Sequence, residues 1–153
     1  MRSLTLASVA ALALVGGIVL MGATGATAHV GAEGVVKERM ESMKAMKTAT
    51  KIVGPMVSGA MAYDPAEVKK AAETIAAHSG EAITKLFPEG SFDVDSDALQ
   101  EIWDEWPRFE KLAKDTQTKA LALAAFSAEQ SKAASAFEAL GQSCKACHRP
   151  FKD

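Results

Sequence analysis

The sequence has no run of strictly alternating apolar and polar residues, the mark of a half-buried strand, and no internal repeat, so sheet and solenoid architectures drop out first. It has no basic excess either. Seventeen Lys and Arg stand against 19 Asp and Glu, which leaves nothing to neutralise a phosphate backbone and argues against a nucleic-acid partner. Cysteine is scarce, two in all, and histidine numbers three, so a zinc site of four protein ligands would have to draw on nearly every residue of both kinds.

What is present begins with an address. Met1-Arg2 gives a positive start, Leu4 to Met21 is almost uninterruptedly apolar, and Ala26-Thr27-Ala28 is a small-residue site. That order is the order of a secretory signal peptide cleaved after Ala28, residues 1–28 in all. Gly16, Gly17, Gly22 and Gly25 break the apolar run and weigh against an uncleaved membrane span. Cleavage would leave residues 29–153 as one exported, periplasmic domain without stable membrane insertion, of about 125 residues and slightly acidic.

The mature part reads as four helices. Val36, Met40 and Met43 recur at spacings of four and three from Glu33 to about Lys51, and Gly54-Pro55 should end or kink that helix. Asp64-Pro65-Ala66-Glu67 opens a second, with Asp64 as cap, Pro65 at the first position and Glu67 able to reach back. Val68, Ala72, Ile75, Ser79, Ile83 and Leu86 then carry one stripe up to Phe87-Pro88. Residues 88–96, rich in Gly, Pro, Ser and Asp, form the one substantial loop. Leu99 to Leu123 hold helical spacing again, with Ser96 or Asp97 able to cap the start; Pro107 calls for a kink or a short lead-in helix. Ser127-Ala128-Glu129-Gln130 is a capping signature for a fourth helix that Pro150 should terminate. Short links and no strands give an all-α, antiparallel, up-down-up-down four-helix bundle.

The chemistry lies in Cys144-Lys145-Ala146-Cys147-His148, a C-x-x-C-H that uses both cysteines. Ala133, Phe137, Leu140, Cys144 and Cys147 continue one apolar rhythm, so both thiols emerge on the buried stripe, and His148 follows Cys144 by four residues. Two thiols one turn apart can bond the two vinyl groups of a single haem while the imidazole reaches its iron. The competing readings fit less well. A disulfide closing so short a loop stabilises little and has no use for His148, and a thioredoxin-like pair should open a helix after a strand. Zinc would need His29 and His78 as well.

On these residues the chain resembles the class II c-type cytochromes, the family of cytochrome c prime and its low-spin relatives. The resemblance rests on C-K-A-C-H at the C-terminus followed by Phe151-Lys152, Glu101-Ile102-Trp103, Tyr63-Asp64, and Arg39 followed four residues later by Met43. It spans the mature chain and implies one covalent haem c, with His148 as proximal iron ligand and helix one over the distal face. The family divides there. A methionine matching Met43 is the sixth ligand in the low-spin electron carriers, whereas in cytochrome c prime the iron stays five-coordinate and takes up small gases such as NO or CO.

Met43 therefore suits the electron-carrier branch, a periplasmic protein passing single electrons to redox partner proteins, but a thioether also fills core gaps without binding metal. Arg39 can pair with a haem propionate or stand solvated on its helix. Arg149 and Lys152 flank the motif and can shield His148 or guide an acidic partner. Trp103, Trp106 and Phe109 read as bundle core, and His78 as a surface residue. No residue of helix one offers a distal base for peroxide, so enzyme activity is not expected. Family members are often homodimers through helices one and two, and the resemblance implies that arrangement here.

Overall fold

A computed structural model describes residues 34–93 and 96–153, so the leader at 1–28 and His29 lie outside the described residues. Six helices follow in order: α1 Gly34–Val57, α2 Pro65–Ala77, α3 Glu81–Thr84, α4 Glu101–Asp104, α5 Trp106–Ala125 and α6 Gln130–Phe151. The four long ones, α1, α2, α5 and α6, pack in a ring as an up-down-up-down four-helix bundle. Its direction is legible at one end. Gln130 Nε2, at the start of α6, donates to the carbonyl of Met56 near the end of α1 at 3.1 Å, and Tyr63 Oη between α1 and α2 donates to the carbonyl of Ser127 at 2.6 Å.

The helices form where local chemistry starts them. Asp64 Oδ1 accepts from the backbone N–H of Ala66 at 2.8 Å and of Glu67 at 3.2 Å, meeting two donors that the first turn leaves unpaired. Pro107 sits in the first turn of α5, after the lead-in helix α4, where its missing N–H costs nothing. Pro55 does not end α1. It removes one donor close to the helix end, and the amide of Met61 folds back onto its carbonyl at 3.0 Å. Pro150 likewise falls one residue before the end of α6.

Two starts and stops differ from the sequence reading. The helix expected to run to Phe87 breaks after Ala77, because Gly80 adopts φ +61° and its amide bonds across to Ala113 of α5 at 3.1 Å. A Cβ there would meet the Gln117 side chain, whose Nε2 ties α5 to the carbonyl of Ala76 at 3.2 Å. Ser127 does not cap α6 either; it is buried in the turn, and Glu129 holds the cap position without a side-chain bond.

The interior divides in two. At one end of the bundle Val53, Val68, Ala72, Ile75, Leu123 and Leu140 form an aliphatic cluster, all essentially inaccessible to solvent. At the other, Ile83, Phe87, Ile102, Phe109 and Phe151 form an aromatic one, with Trp103 and Trp106 against it. Edge contacts hold the rings together, with centroids 4.9 Å apart for Phe87 and Phe109 and 5.5 Å for Phe109 and Phe151. Truncating one fully buried leucine such as Leu140 in such a core costs about 2–5 kcal/mol.

Candidate haem site

Helix α6 delivers the motif to the seam between these clusters. Cys144 packs against the aliphatic cluster and Cys147, one turn on, against the aromatic one. Both are free thiols. Burial is the main reason both hold their protons tightly: it raises the Cys144 pKa and, with the nearby Cys144, pushes Cys147 up to about 11. His148 stands at the helix surface; desolvation first, and the charge of Lys152 second, lower its pKa and favour the neutral imidazole, the form that binds metal.

Met43 meets this site from α1. It is half-buried against the same aromatic cluster as Cys147, and it is the one methionine packed there among the described residues. Met40, expected on the apolar stripe, is 53% exposed. Met46 packs on the aliphatic cluster, where its sulfur accepts from Ser79 Oγ at 3.5 Å. The phase of α1 thus separates three methionines that the sequence places within seven residues.

Arg39, one turn before Met43, is not solvated; it is 3% exposed. Its Nε and Nη2 donate to the carbonyl of Leu86 at 3.1 and 2.8 Å, and Nη2 donates to Ser91 Oγ at 3.0 Å. Its plane lies over Phe87, 3.9 Å from the ring centroid. Burial lowers its pKa while the charge of Asp93 works to raise it. The remaining nitrogen, Nη1, is buried with no hydrogen-bond partner among the described residues. An unmet buried donor costs about 1–3 kcal/mol or more when charged, and a carboxylate would meet it.

These features fit a haem. Two thiols lie one turn apart on a buried stripe, a neutral imidazole follows, aromatic side chains pack against Cys147, and a buried guanidinium nitrogen has no hydrogen-bond partner among the described residues. They do not fit a protein-only metal site, since no group of three or more His, Cys, Asp or Glu side chains among the described residues could hold an ion. Nothing in the sequence marked Leu86 and Ser91 as partners of Arg39, because both lie in or beside a loop with no motif of its own. His78 is half-buried rather than at the surface, with Nδ1 2.9 Å from Ser42 Oγ in a bond that ties α2 to α1. Lys152 is committed to an ion pair with Asp97 at 2.9 Å.

Comparison with known proteins points the same way. Residues 34–152 match the family model described as Cytochrome C'. The cytochrome c' of Pararhodospirillum photometricum is 32% identical over 124 residues, 79% of this chain and 98% of that protein. A cytochrome c-556 of Agrobacterium tumefaciens is 33% identical over 119 residues, 74% of this chain and 90% of that protein. Among solved structures, cytochrome c' from Thermochromatium tepidum superposes with a TM-score of 0.71 at 27% identity, covering 77% of this chain and 93% of that one. A nitric oxide complex of a mutant cytochrome c prime from Alcaligenes xylosoxidans gives 0.71 at 28% identity, covering 78% and 94%.

Proposed function

The chain belongs to the cytochrome c' family, whose members carry one covalent haem c, and from that premise we propose that it is an exported haem protein binding a small neutral gas such as NO or CO. The haem supplies an iron whose charge state and sixth position are available for chemistry. Cys144 and Cys147 would hold it through thioether bonds, His148 would ligate its iron, Arg39 Nη1 would receive a propionate, and Met43 would serve as a lid over the gas. Residues 1–28 serve as the leader that exports residues 29–153 to the periplasm.

The observation that carries the gas-binding reading is the chemistry around Met43. Met43 packs with Phe87, Phe109 and Trp103, and the charged side chain that stacks on these rings is Arg39, a cation and not a base. Such a wall suits an uncharged diatomic and offers no base to take a proton from peroxide, so the reading is of a binder rather than an enzyme. The Alcaligenes relative named above was solved with nitric oxide bound. The groove between α1 and α2, lined by Ala45, Ala49 and Ile52 among others, is where a second copy would pair.

One observation favours a second reading. Met43 is the sole thioether at that cluster among the described residues, and a thioether is the kind of sixth ligand an electron carrier would use. Absorption spectra of the matured protein, ferric and ferrous, before and after carbon monoxide, separate the two. A high-spin spectrum that shifts readily with carbon monoxide supports gas binding. A sharp low-spin ferrous spectrum that resists carbon monoxide and broadens in Met43→Ala overturns it and leaves the electron carrier.

A further inference from the structure

Beside the attachment turn, α5 and α6 enclose a surface groove lined by Arg108, Lys111, Leu112, Ala146, Arg149 and Pro150. Three of its six residues are cationic and none is acidic, although the chain as a whole carries more acid than base. Its floor is apolar. Arg108 is engaged at the rim, bonded to Glu105 at 2.7 Å and leaning over Phe151, but Lys111 and Arg149 are exposed and have no ion pair among the described residues. Lys145, next to Ala146, is exposed as well.

The position of Ala146 gives this patch meaning. It lies inside the turn between Cys144 and Cys147, so a molecule seated in the groove would rest against the backbone that holds the thioethers. An acidic stretch borders the groove: residues 86–107, which end beside Arg108, contain seven Asp and Glu and no Lys or Arg, and two of those carboxylates, Asp97 and Glu105, are engaged with Lys152 and Arg108. An approaching negative surface is turned away from that stretch and drawn to the cations that have no ion pair among the described residues, Lys111, Lys145 and Arg149.

We propose that this groove is the docking surface for the acidic face of a small electron-carrier protein, which would bring its redox group to the attachment turn. The proposal rests on the haem reading for its purpose but not for its test. The holoprotein is titrated with dye-labelled oxidised flavodoxin, an acidic carrier, and binding is read by fluorescence anisotropy at low and moderate salt, with no electron passed.

Lys111→Glu/Arg149→Glu should weaken binding by about tenfold or more at low salt, and the difference should shrink once the Debye length falls to about 8–10 Å. The control Lys51→Glu/Lys132→Glu changes net charge equally at the other end of the bundle. Lys132 precedes Ala146 by fourteen residues on α6, about 20 Å away. It should weaken binding by no more than about threefold. Equal weakening by both pairs, or no binding by the parent protein at low salt, overturns the proposal. A pyridine haemochrome spectrum taken on each variant tests covalent haem independently: its absence would sink the proposed function, while flavodoxin binding would still report on the groove.

Discussion

The guanidinium of Arg39 lies 3.9 Å above the ring of Phe87 and donates to the carbonyl of Leu86, the residue just before it. One buried cation therefore fastens α1 to the chain that leaves α3, stacks on the aromatic cluster, and leaves Nη1 without a hydrogen-bond partner among the described residues. The proposed propionate contact would add a binding role to this structural one. The structural role can be tested without assuming the other.

Arg39→Ala should destabilise the haem-bearing protein by about 2–4 kcal/mol, combining lost bonds to Leu86 and Ser91 with the lost stack on Phe87. Arg39→Lys should recover only part of this, since an ammonium cannot reproduce the planar fork. Urea unfolding followed by circular dichroism checks both. A midpoint for Arg39→Ala indistinguishable from the parent would show that the bonds hold nothing together.

Gly80→Ala should cost about 2–3 kcal/mol, part from φ +61° in a residue bearing a side chain and part from displacing Gln117 from the carbonyl of Ala76. Gln117→Ala removes the obstruction but not the backbone strain. The double variant should therefore remain less stable than Gln117→Ala alone by about 1–2 kcal/mol, measured by thermal unfolding. Equal stability of those two would place the whole cost in the collision.

Tyr63→Phe removes the 2.6 Å bond to Ser127 and should cost about 1 kcal/mol at neutral pH. Burial raises the Tyr63 pKa above its ordinary 10.0, because the tyrosinate loses solvent and has no proton to donate. With the folded value above the unfolded one, this contribution is complete below pH 10 and falls away as pH rises through the raised value. Stability measured from pH 8 upward should decline less steeply at the alkaline end in Tyr63→Phe than in the parent. A parallel decline in both would remove Tyr63 from the titration.

Local chemistry accounts for much of what was legible. Asp64-Pro65 starts α2 and Pro107 starts α5 because caps and prolines act on donors within a few residues. The C-x-x-C-H placed both thiols on a buried stripe because helical phase is a local property. Where the reading failed, a partner distant in sequence was responsible. The periodic stripe from Val68 to Leu86 gave no sign of a break at Gly80, which depends on Ala113 and Gln117 of α5. Met40 fits the rhythm of α1 but is 53% exposed.

By itself the sequence determined the four long helices, the Asp64 cap of α2, and the place of Cys144, Cys147 and His148 on α6, all set by interactions along a single helix. Only the tertiary structure decided which methionine of α1 shares a cluster with Cys147, that Arg39 is buried with one nitrogen unpartnered among the described residues, and that Lys111 and Arg149 line one groove with Ala146. Each depends on the rotation of one helix against another. That rotation is fixed by how the buried faces of all four fit together, and no single segment encodes it.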